Sequence, residues 1–110
     1  MRLPNPEKVL IPRDKIEGYL LSPVHPVGRH KAAFFASLGY KQAEWQALER
    51  DLRELVTGDA QPSEDTEYGT KYEIRGMITG PDGASAAIVT AWIVREAEDF
   101  PRFITAYPED

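Results

Sequence analysis

"YGTKYEIRGMITGPDGASAAIVTAWIVRE", residues 68–96, sets the class of fold. Its first half, "YGTKYEIRGMIT", alternates in the way a half-buried strand does, with neighbouring side chains sent to opposite faces. "GPDG" is a turn. "ASAAIVTAWIVRE" is apolar for much of its length and reads as a strand buried on both faces. Two strands joined by so short a connection pair antiparallel. Beyond "AEDFP" a short last strand reads "RFITAY", residues 102–107. On the other side lies "DAQPSEDTE", residues 59–67, the one stretch of low hydrophobicity. It predicts an acidic surface loop dividing a helical half from a strand-rich half.

The helical half follows from a different period. In "QAEWQALERDLRELVTG", Trp45, Leu48, Leu52, Leu55 and Val56 share one helical face, and Gly58 ends the run. In "RHKAAFFASLGY", Lys31, Phe34, Phe35 and Leu38 fall at i, i+3, i+4 and i+7, with Gly39 placed to terminate the helix. A short helix over "RDKIEGYLLS" is predicted from Ile16, Tyr19 and Leu20, with Asp14 and Glu17 spaced as a capping box, and Pro23 stops it. "MRLPNPEKVLIP" is broken by prolines and reads as an extended arm, with "KVLI" as a short edge strand. One domain over residues 1–110 is expected: an arm (1–12), a helical half (13–58), the acidic loop (59–67) and antiparallel strands (68–108). The fold class is α+β, N-terminal helices packed on one face of a three- to four-stranded antiparallel sheet.

Composition narrows the functional classes. With 110 residues, 42% of them hydrophobic, the chain can bury one modest core. No run approaches a membrane span, and the first residues lack the apolar core of a secretory signal, so a cytoplasmic location is expected. There are no cysteines and only two histidines, with neither HxxxH nor HExxH spacing, so no metal and no cofactor are expected. GxSxG, P-loop and GxGxxG motifs are missing as well.

The formal charge of −5 conceals an asymmetry. Residues 1–41 carry seven Lys/Arg against three Asp/Glu, whereas residues 42–110 carry six against fifteen. The acidic total argues against general nucleic-acid affinity, DNA included. A local basic patch still binds phosphate, because fields are screened beyond about 8 Å in physiological salt.

That patch is "HPVGRHKAAFF", residues 25–35. His25, Arg29, His30 and Lys31 crowd the entry to a helix, where cations oppose the helix dipole at roughly 0.3–1 kcal/mol each. Such an arrangement calls for an anion. It is supplied by a carboxylate from the acidic half, or by a substrate phosphate or an acidic partner. Lys31 shares a stripe with Phe34, Phe35 and Leu38, so its stem lies along the core and its ammonium reaches toward the sheet. His25 is either an acid/base group or a loop histidine bonded to backbone between its prolines. In the last strand, alternation places Phe103, Thr105 and Tyr107 on one face and Arg102, Ile104 and Ala106 on the other. Ile104 and Ala106 are read as the helix-packed side.

"KIEGYLLSPVHPVGRHKAAFFASLGY", "YGTKYEIRGMITGPDG" with "VTAWIV", and "PRFITAYP" together resemble a small, largely uncharacterised bacterial domain family. It occurs free-standing and at the C-terminus of toxin-like and phage-associated proteins. More distantly, helices followed by a curved sheet ending in such a strand are similar to the barnase–EndoU–colicin–RelE class of ribonuclease toxins. That resemblance implies metal-independent RNA cleavage by attack of a 2′-hydroxyl on the adjacent phosphate. His25 would be the acid/base, Lys31 with Arg29 would stabilise the transition-state charge, and Thr105 would bond a phosphate oxygen. His30 would assist in binding substrate, and Tyr107 would stack on or position the ribose. It also implies a restraining partner, an acidic antitoxin. The alternative is a non-catalytic interaction module, an accessory or immunity-type protein that docks an acidic partner through the same cationic end.

Overall fold

The computed structural model describes residues 1–109. Helical elements come first and a four-stranded antiparallel sheet follows, in the order β1-β2-β3-β4. The strands are β1 (Ala60–Thr66), β2 (Gly69–Thr79), β3 (Ser85–Arg95) and β4 (Pro101–Pro108). β2 and β3 form the central hairpin, in register from Thr79↔Ser85 at the turn to Gly69↔Arg95 at the far end. The turn needs glycine: Gly83 adopts φ +90°, and a Cβ on Gly80 would collide with the Leu38 carbonyl. That second contact seats the hairpin tip against the end of a helix.

Three helical elements lie on one sheet face. α1 is a single turn, Arg13–Lys15, which widens directly into a π turn, Ile16–Leu20. The i→i−5 bond from Leu21 N–H to the Ile16 carbonyl marks this turn. α2 spans Arg29–Ser37 and α3 spans Trp45–Leu55. The expected capping box is not made: Pro12 stands at the helix entry, and Glu17 pairs with Arg13 at 3.1 Å instead. Ile16 and Leu20 from the π turn, Phe35 from α2 and Leu48 and Leu52 from α3 are fully buried against the sheet.

Across the sheet the core rows run Tyr72–Trp92–Phe103 and Ile74–Thr90–Ala106. Trp92 meets Phe103 edge-on at 5.2 Å between ring centroids. Its indole N–H donates to Thr90 Oγ1 at 2.8 Å, and that hydroxyl donates to the Ile74 carbonyl at 2.9 Å. The polar atoms of this buried row are therefore satisfied within it.

Two expectations are corrected. Residues 60–66, predicted to be loop, form β1, paired with β2 along its length with a shift between Pro62 and Glu64. All but Ala60 and Thr66 are exposed, so this strand is held by ladder hydrogen bonds and leaves no hydrophobic pattern. In β4 the pairing shifts between Ala91 and Trp92, so Thr105 faces Ala91 while Phe103 faces Trp92. Ile104 is the extra residue of a bulge. The bulge turns Phe103 into the core beside Ala106, leaving Thr105 and Tyr107 toward the opposite face, and removes Ile104 from the helix-packed side. The arm docks here too: Leu10 makes one parallel bridge to Arg102, covering the first part of the β4 edge.

Candidate functional site

Just beyond that bridge, the β4 edge at Ile104–Thr105 is approached by the π turn. Lys15 Nζ donates to the Ile104 carbonyl at 3.2 Å, and the Tyr19 hydroxyl shares a hydrogen bond of 3.2 Å with Thr105 Oγ1. Lys15 and Lys31 place their ammonium groups 5.8 and 5.4 Å from the Tyr19 ring centroid. The His25 ring meets Tyr19 edge-on, 5.1 Å between centroids. Four elements thus converge on one phenol: α1, the loop before α2, α2 itself and β4.

The convergence has local causes. A Cβ on Gly28 would collide with the Tyr19 carbonyl, so glycine is what lets the start of α2 lie directly on the π turn. The loop between Pro23 and Gly28 is tied down from within. Ser22 Oγ accepts from His25 N–H at 3.2 Å, and His25 Nδ1 accepts from the N–H groups of Val27 and Gly28 at 3.0 and 2.9 Å. Those two bonds put the ring proton of His25 on Nε2. Protonating Nδ1 would break both.

The electrostatics follow from the two ammonium groups. Among the described residues, no carboxylate lies within 4.0 Å of Lys15, Arg29, His30 or Lys31. Burial by itself raises the Tyr19 phenol. The hydrogen bond with Thr105 and the nearby Lys31, with Lys15 further out, outweigh burial and hold the phenol below its ordinary value. Tyr40 is the opposite case: burial first, then its hydrogen bond to Asp51, pushes it well above the ordinary value. An alkaline absorbance titration separates the two. Tyr19→Phe is expected to remove signal from the low-pH side of the tyrosinate curve and Tyr40→Phe from the high-pH side. Equal losses from the middle of the curve would contradict this geometry.

Of the six site residues predicted from sequence, the structure gathers His25, Lys31 and Thr105 around Tyr19. Arg29, His30 and Tyr107 lie elsewhere. Arg29 sits roughly 200° around α2 from Lys31, as a spacing of two residues requires. It lines a groove of about 560 Å³ with Leu21, Ala32, Ala36 and Tyr40. His30 is exposed. Tyr107 donates to Glu73 Oε2 at 3.2 Å, and Arg75 reaches Glu109 at 2.8 Å beside it. Burial, then the Glu73 charge, raise the Tyr107 phenol.

Sequence reading missed Tyr19 and Lys15. Tyr19 sits at helical spacing from Ile16, which reads as core. The available signal was the pairing of a tyrosine with lysines four residues before it and twelve after it. No metal-holding group of three or more His, Cys, Asp or Glu occurs among the described residues, and none of their helices is long and apolar enough to cross a membrane.

A small α+β domain with a cationic, tyrosine-centred edge is the class this arrangement defines. The chain belongs to a family described as a domain of unknown function (DUF6883), whose model matches residues 2–110. No curated protein matches it. Among solved structures it is similar to a chain of a contact-dependent growth inhibition toxin–immunity protein complex from Klebsiella pneumoniae 342. The TM-score is 0.71 at 17% identity, covering 96% of this chain and 97% of that one. At that identity the likeness is one of fold.

Proposed function

We propose that this domain is a toxin-type, metal-independent ribonuclease acting at the Tyr19-centred edge, by attack of an RNA 2′-hydroxyl on the adjacent phosphate. The observation that carries the reading is the pair of ammonium groups, Lys15 and Lys31, on one phenol with no carboxylate within 4.0 Å among the described residues. Two such charges beside a hydroxyl pair suit a phosphodiester whose charge grows in the transition state. Lys31 and Lys15 hold the phosphoryl oxygens, with the Thr105 hydroxyl beside them on Tyr19. Arg29, His30 and Tyr107 serve as outer contacts for the flanking nucleotides. The fold likeness to a chain of a toxin–immunity complex supports a toxin-related role and a protein partner, and the lysines at the edge suit an acidic one.

A second reading is a non-catalytic, immunity-type module that docks an acidic protein through the same lysines. The bonding of His25 favours it: with Nδ1 committed to the loop backbone, this histidine is fastened as a structural group.

The experiment is incubation of purified protein with a mixed, end-labelled RNA in EDTA. Fragments ending in 2′,3′-cyclic phosphate are expected. RNA left intact by well-folded protein, across a range of pH and protein concentration, transfers the assignment to the docking module.

A further inference from the structure

The ribonuclease reading leaves unassigned the proton that the departing 5′-oxygen must receive. His25 is badly placed to supply it. Its Nδ1 is committed to the N–H groups of Val27 and Gly28, so cycling through the doubly protonated ring would dismantle the loop before α2. Lys15 is engaged with the Ile104 carbonyl. Lys31 is assigned to the phosphoryl oxygens, which leaves the Tyr19 hydroxyl at the centre of the cluster as the donor.

We propose that Tyr19 is the general acid of this site, an inference that rests on the ribonuclease reading. Three features of its placement support it. It stands on a π turn, an uncommon widening that concentrates at functional sites. Its ring is held from several sides: His25 edge-on, and Lys15 and Lys31 within cation–π range. Its hydroxyl lies at the strand edge within 3.2 Å of Thr105 Oγ1, a partner able to stabilise the tyrosinate left after proton transfer. The two ammonium groups stabilise the same anion, and the lowered phenol makes it the better acid.

In the step, the 2′-hydroxyl gives its proton to water while its oxygen forms a bond to phosphorus. The bond from phosphorus to the 5′-oxygen breaks, its electron pair stays on that oxygen, and the oxygen takes the Tyr19 proton. Tyr19 regains a proton from water. The products are a 2′,3′-cyclic phosphate and a 5′-hydroxyl.

The test compares ordinary RNA with RNA carrying a bridging 5′-sulfur at one linkage, where a thiolate leaves without needing an acid. Tyr19→Phe keeps the ring and its contacts. It is expected to slow cleavage of the ordinary linkage by about 100-fold or more and of the sulfur linkage by less than about threefold. Equal slowing of both linkages, or slowing of neither, overturns the assignment. Should the variant not fold, the pH profile of the wild type separates the same outcomes. On ordinary RNA the enzymatic rate should fall as rising pH deprotonates Tyr19, among Lys15, His25, Lys31 and Thr105, whereas the rate on the sulfur linkage should not. Wild-type protein that cleaves neither substrate sinks the ribonuclease reading itself, an outcome distinct from loss of the tyrosine's role alone.

Discussion

Lys31→Ala is expected to lower RNA cleavage by about 100- to 1,000-fold, the scale for removing one well-placed electrostatic donor. Lys31 is the α2 member of the cluster, with its ammonium 5.4 Å from the Tyr19 ring centroid. No carboxylate among the described residues stands within 4.0 Å to neutralise it. Its charge is therefore available to an anion at the β4 edge. The folded state should lose little, less than about 1 kcal/mol, because a partly exposed cation–π contact contributes no more than that. A second readout does not depend on activity. Removing the ammonium should raise the Tyr19 phenol, moving its titration to higher pH, since Lys31 is among the groups that hold it down. A variant with unchanged cleavage would place the phosphate elsewhere. One with an unchanged tyrosine titration would dispute the geometry itself.

Trp92→Ala is expected to destabilise the domain by about 3–5 kcal/mol, the range for truncating a buried aromatic side chain to alanine. Trp92 is fully buried at the centre of β3 and packs edge-on against Phe103. Its indole is bonded to Thr90, so the substitution opens a cavity in a row shared by three strands. Against a typical domain stability of about 5–15 kcal/mol, that loss is a large fraction. Urea unfolding should show it as a lower midpoint at nearly constant slope. A loss below about 1 kcal/mol would mean that Trp92 is not where the core is.

Much of this architecture was readable from residue order. α2 and α3 follow from apolar residues at helical spacing, and the β2–β3 hairpin from two apolar runs around "GPDG". Their side chains bury in a regular period, so burial leaves a mark on the sequence. β1 leaves none. "AQPSEDT" reads as loop by every local measure, and it is a strand because β2 offers it a row of backbone partners.

The site divides in the same way. Lys31 stood out because it shares a stripe with Phe34, Phe35 and Leu38, and Thr105 because it falls in the last strand. Tyr19 did not, since a tyrosine three residues after Ile16 and next to Leu20 looks like core. Nor does periodicity show the bulge at Ile104, which sends Phe103 inward and leaves Thr105 at the edge.

Residue order was enough for the class of fold, the absence of cysteine chemistry and the gathering of cations at one helix entry, since composition and period act locally along the chain. Which of those cations share a ligand depends on long-range packing. Lys15, Tyr19, His25, Lys31 and Thr105 span 91 positions of sequence, and only the packing of the π turn against Gly28 and the edge of β4 brings them to one phenol.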